Sequence, residues 1–209
     1  MINSEEAARA YCAGLADNQA LDRLQKLADL VAEENERQNL VSNASLDMVW
    51  QRHLADSVQL VGYVSRETPG QWMDLGTGAG FPGLAIAAVR PSWEVLLVES
   101  RKRRVEWLER AIKELDLANC RVAGSRLEDV KNFSAGIISA RAFAPLGKLL
   151  KLSARFSTRD TIWLLPKGRK AAQELAEQPV AIQEMFHVEP SRTDETAGIL
   201  IGQGTPRLS

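Results

Sequence analysis

A chain of 209 residues, 45% of them hydrophobic, is long enough for one substantial core, and its formal net charge of −1 excludes the broad basic character of a dedicated nucleic-acid-binding domain. No apolar stretch approaches the roughly 20 residues that span a bilayer, and the opening MINSEEAARAYCAGLADNQ lacks the basic-then-apolar layout of a signal peptide, so the expectation is a cytoplasmic protein without membrane contact. Cys12 and Cys120 match no metal-ligand or redox spacing and are read as two reduced thiols, and no metal site is expected.

Along the chain, Leu21, Leu24, Ala28 and Val31 recur at helical spacing with charges between them, which predicts an amphipathic helix over 22–37, ended by a turn over 35–43. Ser45 is a cap candidate for a further helix in which Trp50, Leu54, Val58 and Val61 line one face while Arg52, His53 and Asp56 lie away from it. Residues 1–65 therefore read as a helical extension, and 66–209 as the core of a single domain. The pattern changes at a Pro69-Gly70 turn. A strand at 72–75 leads through a glycine-rich turn to a helix at 84–89, stopped by Pro91. Strands at 95–99 and 121–122 flank a long helix at 102–115; a strand at 136–139, a helix at 146–156 and a strand at 161–165 continue the rhythm. This alternation predicts an α/β fold, a mostly parallel sheet with helices on both faces. The apolar stretches 180–188 and 197–202 have no helix between them and should pair antiparallel at one edge.

The turn after the first strand reads Asp74-Leu-Gly76-Thr77-Gly78-Ala-Gly80-Phe81-Pro-Gly83, a context in which glycines let the backbone approach a nucleotide-like ligand. Two ligand classes compete. Gly78-x-Gly80-x-x-Gly83 matches a dinucleotide fingerprint, whereas Asp74-x-Gly76-x-Gly78-x-Gly80 resembles motif I of class I methyltransferases. Register separates them: if Gly76 is the glycine at the strand's end, Phe81 stands where a dinucleotide fold needs its third glycine. A carboxylate just before the loop also suits a ligand bearing ammonium and sulfonium groups better than a pyrophosphate, which favours helix N–H groups. Asp74 thus favours S-adenosylmethionine. Glu99, 23 residues after Gly76, is placed to accept from ribose hydroxyls. Leu127 and Glu128, in the loop after the third strand, are read as contacts to adenine, with a helix cap or exposed turn as the alternative.

With these residues in view, the chain resembles the bacterial small-subunit (16S) rRNA guanine 7-methyltransferases, the family also called glucose-inhibited division protein B. The resemblance rests on Gln38-Asn-Leu-Val-Ser42, Arg52-His53-Leu-x-Asp56-Ser57, the loop from Asp74 to Gly83, Ser139-Ala-Arg141-Ala-Phe143-Ala-Pro-Leu146 and Leu165-Pro-Lys167-Gly-Arg169. It implies a Rossmann-like class I methyltransferase sheet with an N-terminal helical extension, and S-adenosyl-L-methionine as cofactor with contacts at Gly76, Phe81, Leu127, Glu128 and Arg141. It further implies 16S rRNA of the small ribosomal subunit as partner; the chain is expected to act as a monomer. Ala79 stands where the family often has proline, and Ser-Ala-Arg carries an extra residue before Arg141.

Guanine N7 carries a lone pair and no proton, so its methylation needs no general base, and no residue is given that role. A donor to the neighbouring oxygen is more plausible than one to the reacting nitrogen. Arg141, Lys167 and Arg169 follow the fourth and fifth strands, whose carboxyl ends should border the crevice, and are the candidates on the acceptor side. Arg101, Lys102, Arg103 and Arg104 open a helix, where positive charge opposes the helix dipole; a phosphate partner or plain solvation accounts for them. Arg52 and His53 are read either as meeting RNA or as linking the N-terminal helices to the core, and with Lys167 and Arg169 they complete the candidate RNA contacts. Three other readings stand beside this one: a nicotinamide-dinucleotide oxidoreductase, a non-catalytic RNA-binding assembly module, and a hydrolase built on Ser57, His53 and Asp56, which is rejected for want of a nucleophile elbow.

Overall fold

Continuous apolar runs, rather than alternating ones, mark strands covered on both faces. In the computed structural model, which describes residues 1–65, 67–68 and 70–207, such runs form the centre of a seven-stranded sheet. Its strands are β1 (Gln71–Leu75), β2 (Val95–Val98), β3 (Cys120–Ala123), β4 (Ala135–Ala140), β5 (Ile162–Gly168), β6 (Phe186–Pro190) and β7 (Gly198–Gln203), in the order β3-β2-β1-β4-β5-β7-β6. All neighbours are parallel except β7, which runs antiparallel to both β5 and β6. The sheet is mostly parallel with an antiparallel end, as expected. β7 is inserted between β5 and β6, so β6 is the edge. The strand order reverses between β1 and β4, the switch point beyond whose carboxyl ends ligands bind in open α/β sheets.

Period-two alternation divides the core. Trp72, Leu97, Ile137 and Leu164 face one hydrophobic cluster, and Met73, Leu96, Ile138 and Trp163 face the other. The first cluster is closed by helices that include the N-terminal ones. They are α1 (Glu5–Ala13), capped by Ser4; α2 (Asn18–Asn35), capped by Asp17; and the single turn α3 (Asn43–Leu46). A π-helical run, Trp50–Ala55, then continues through α4 (Asp56–Val58) into a tighter turn, Gln59–Tyr63. Two expectations need correcting here. The cap is Ser42, whose Oγ accepts from the Ser45 N–H at 3.2 Å. His53 does not face away from the core but is buried at 7% exposure, because the π-helical run has wider turns than the 3.6-residue period assumed for that segment. Pro69 of the expected turn lies outside the described residues.

The remaining helices are α5 (Gly83–Val89), α6 (Lys102–Glu114), α7 (Leu146–Ser153), α8 (Ala171–Ala176) and α9 (Val180–Gln183). The stretch 180–188 is therefore not one strand. Pro179 presets its own φ and its carbonyl accepts from Ile182 and Gln183, which starts a helical turn before β6 begins. Helix α6 is held by α2 along its length. Arg23 donates to the carbonyls of Leu115 and Asp116 at 3.1 and 3.0 Å, satisfying acceptors left over at the helix C-terminus. Buried Glu34 pairs with Arg110 at 2.5 Å. Burial pushes the thiols of Cys12 and Cys120 up to about 12, so neither is a nucleophile at neutral pH.

Candidate functional site

The glycine turn is shaped from beneath by Asp74. This carboxylate is fully buried, and its oxygens accept from Thr77 Oγ1 (2.5 Å), Gly83 N–H (3.1 Å) and Ser139 Oγ (2.7 Å). Burial raises its pKa to about 6, against the lowering effect of those three donors. Asp74 thus ties the two ends of the turn to β4 and does not line the cleft above it, contrary to the direct contact expected from its position before the loop. Gly76 and Gly78 have φ of +61° and +56°, the left-handed region that side chains avoid. A Cβ on Gly76 would lie 2.4 Å from Phe143, while one on Gly78 would meet only the Gly76 carbonyl, at 3.7 Å. Gly80 faces inward: its Cβ would strike Leu84 at 2.3 Å, so it serves packing against α5 rather than the cleft.

Above the turn lies a cleft of about 700 Å³ at the carboxyl ends of β1, β2 and β4. Gly76, Thr77, Gly78, Phe81, Glu99, Leu127, Glu128 and Arg141 line it, together with Arg101 and Arg104. Glu99 is almost buried, and its carboxylate accepts from the N–H groups of Gly78 (3.2 Å), Ser100 (2.7 Å) and Arg101 (2.9 Å). It therefore joins the end of β2 to the glycine turn as well as facing the cleft. Arg155 holds the Leu127 turn by donating to the carbonyls of Leu127, Glu128 and Val130. Leu40 and Val41 close one side from the N-terminal extension. Their backbone N–H groups are held by Asn35 Oδ1 at 2.8 and 3.0 Å.

A second cleft, of about 750 Å³, adjoins the first, and Arg141, Ala142, Phe143 and Ala144 line both. Arg141 is held on three sides. It donates to Asp56 Oδ2 at 3.3 Å and to the Arg52 carbonyl at 3.2 Å, and its guanidinium lies 5.3 Å from the Phe81 ring centre. Its Nη2 is 3.0 Å from His53 Nδ1. His53 stacks on Phe81 with centroids 5.0 Å apart, and burial together with the nearby Arg141 and Arg52 charges lowers its pKa to about 3. It is a neutral ring, not a cation awaiting RNA. Ser57 Oγ donates to the His53 carbonyl at 2.6 Å and is buried, so the Ser57, His53 and Asp56 side chains form no catalytic triad.

The basic candidates separate. Arg52 lines the second cleft and pairs with Asp194 at 2.9 Å. Lys167 lines it too, with Nζ 2.8 Å from the Ala144 carbonyl and 3.0 Å from Glu174. Arg169 lines neither cleft and donates to Thr196 Oγ1 at 3.0 Å. Of the run at the start of α6, Lys102 is exposed and 3.9 Å from Glu106, and Arg101 stands at the rim of the first cleft. Arg103 and Arg104 instead donate to the carbonyls of Arg37 and Asn39, anchoring the extension to α6. Of the phosphate partner and the plain solvation open to these four charges, neither describes Arg103 and Arg104, whose guanidinium groups are spent on backbone carbonyls. Phe143, Ala144 and Glu174 also line the clefts without being marked by residue type; the first two fall within a family-like motif, but no spacing rule singles out Glu174.

The family described as rRNA small subunit methyltransferase G matches residues 20–195. A ribosomal RNA small subunit methyltransferase G from Erythrobacter litoralis is 59% identical over 204 residues, covering 98% of each chain. One from Novosphingobium aromaticivorans is 56% identical over 189 residues, covering 90% of this chain and 82% of the relative. Among solved structures, a SAM-dependent methyltransferase from Aquifex aeolicus shares the fold with TM-score 0.55 at 15% identity, over 76% of this chain and 93% of that one. The ribosomal protein L11 methylase from Lactobacillus delbrueckii subsp. bulgaricus does so with TM-score 0.55 at 17% identity, over 72% and 77%. The fold is thus that of the class I methyltransferases, and the chain belongs to the rRNA small subunit methyltransferase G family.

Proposed function

We propose that this protein transfers a methyl group from S-adenosyl-L-methionine to N7 of a guanine in the 16S rRNA of the small ribosomal subunit. The observation that carries the reading is the pair of adjoining clefts with one shared wall, Arg141 to Ala144, beside a glycine turn at the switch point of the sheet. The first cleft falls in the size range of small-molecule sites, about 300–1,000 Å³. Its lining also fits the donor: Gly78 leaves room for close backbone approach, and Glu99 and Glu128 supply carboxylates toward a ligand with hydroxyl and amine donors. When bound, S-adenosyl-L-methionine supplies an electrophilic methyl on sulfur. Gly76, Thr77, Gly78 and Phe81 form the floor beneath it, Glu99 faces the ribose, and Leu127 and Glu128 face the adenine. Asp74 and Gly80 support this site from below without touching the ligand.

The second cleft receives the guanine. Its N7 lone pair needs no base to remove a proton, which agrees with a histidine held neutral and engaged at both ring nitrogens. The chain's contribution to rate is therefore orientation of the two reactants, an effect worth on the order of 7–11 kcal/mol in the best intramolecular cases. Arg141, on the shared wall, and Arg52 face the acceptor, while Arg101 at the cleft and the exposed Lys102, only loosely paired with Glu106, meet phosphate. Residues 1–65 and 66–209 act as one domain, because Leu40 and Val41 of the extension complete the donor cleft. Action as a monomer in the cytoplasm, where small subunits are found, is part of this proposal; separately, no helix among the described residues is long and apolar enough to cross a membrane.

Calorimetry with S-adenosyl-L-methionine and with nicotinamide dinucleotides, followed by incubation of labelled donor with small subunits from cells lacking the modification, tests the reading. Binding of the methyl donor with label transfer is expected. Binding of dinucleotides alone would favour an oxidoreductase, and small-subunit binding without label transfer an assembly module.

A further inference from the structure

The wall between the clefts is strained and pinned at both ends. Ala142 sits at φ +54°, a left-handed conformation that a residue with a side chain holds only when its surroundings enforce it. On one side of it, Arg141 is fixed by His53 and Asp56. On the other, Lys167 Nζ donates to the Ala144 carbonyl at 2.8 Å and pairs with Glu174 Oε2 at 3.0 Å. The same oxygen accepts from the Leu146 N–H at 2.9 Å, so one ion pair grips the last residue of the wall and the start of α7 just beyond it. The Lys167 side chain is only 7% exposed, which is unusual for a lysine meant to meet a solvated phosphate.

Charge balance points the same way. The three cations lining the second cleft are each matched by a carboxylate, Arg52 by Asp194, Arg141 by Asp56 and Lys167 by Glu174. A cleft so neutralised suits an uncharged base better than a phosphate. We propose that Lys167 and Glu174 form one positioning pair that fixes the Ala144–Leu146 end of the wall and so sets the approach of the acceptor nitrogen to the donor methyl. Neither residue is a ligand for RNA phosphate. This assignment rests on reading the two clefts as donor and acceptor sites.

Lys167→Met and Glu174→Gln, each checked for thermal unfolding, test it through single-turnover rates at saturating donor and small subunits, together with the dependence of subunit affinity on salt. The expected result is a transfer rate lowered about ten- to a hundredfold in both variants, since a 1 Å misplacement costs on the order of 10²-fold. Donor affinity and the salt slope should match the wild type. A phosphate contact predicts opposite effects of the two changes: Lys167→Met would weaken subunit binding and flatten the slope by about 0.7–0.9, and Glu174→Gln, by removing negative charge, would tighten binding. That pattern, or unchanged rates in both folded variants, overturns the proposal alone. Absence of transfer by the wild type overturns the donor and acceptor reading, and the proposal with it.

Discussion

Arg141 donates through Nη2 to Nδ1 of His53 at 3.0 Å. A guanidinium has donors only, so Nδ1 must accept, and the ring proton is assigned to Nε2, directed at Ser45 Oγ 3.0 Å away. One neutral tautomer therefore joins the acceptor cleft, the cofactor-side Phe81 ring and the shared wall.

Burial of this ring, with the Arg141 and Arg52 charges beside it, makes the fold sensitive to acid. The unfolded imidazole takes up a proton near 6.5, whereas in the fold it stays neutral down to about 3. Between those values the unfolded chain binds more protons, so the His53 contribution to stability is intact above 6.5 and declines as pH falls, by about 1.4 kcal/mol per pH unit. Asp74, raised to about 6, acts in the opposite sense between its ordinary 3.8 and that value. The comparison that isolates His53 is urea unfolding of wild type and His53→Gln at pH 7 and pH 5. The wild type should lose roughly 2 kcal/mol relative to the variant on acidification; a pH-independent difference would show that the imidazole titrates normally.

Asp74→Ala should cost stability before it costs binding. It strands Thr77, Ser139 and the Gly83 N–H without their buried acceptor, and the expected loss is about 2–4 kcal/mol. Denaturant midpoints measure this directly. A variant with wild-type stability and only weakened donor affinity would mean that the carboxylate meets the ligand after all.

Gly76 and Gly78 should fail differently when changed to alanine. Both pay strain of about 1–2 kcal/mol for positive φ. Gly78→Ala adds a methyl that meets only the Gly76 carbonyl, at 3.7 Å, and should weaken donor binding while sparing the wall. Gly76→Ala collides with Phe143 and should also slow transfer at saturating donor. Equal rates at saturation for the two variants would argue against Phe143 as part of the reactive geometry.

Replacing Arg103 and Arg104 together by alanine should loosen the segment that carries Leu40 and Val41. Donor affinity falls, while the salt dependence of small-subunit binding stays that of the wild type. Two lost phosphate contacts would instead reduce the slope by about 1.4–1.8.

The sheet was legible because buried parallel strands are unbroken apolar runs between glycine and proline punctuation, and the donor turn because its glycines follow such a strand. The roles within the turn were not. Spacing gives Asp74 and Gly80 the same standing as Gly78, although two of the three face inward, a distinction made by packing with Ser139 and Leu84. His53 was misplaced because a helical period of 3.6 cannot foresee a π-helical run. The insertion of β7 between β5 and β6, and the grip of Glu174 on the wall, depend on contacts distant in sequence. Composition excludes broad basic character but cannot tell which cations are committed within the fold: Arg103 and Arg104 are tied to backbone carbonyls and Lys167 to a carboxylate.

The most direct measurement is nucleoside mass analysis of small-subunit RNA after incubation with this protein and isotopically labelled S-adenosyl-L-methionine. Label is expected in 7-methylguanosine, at about one methyl per subunit. Label in any other nucleoside, or on ribose, would contradict an acceptor that reacts through an unprotonated ring nitrogen without a base.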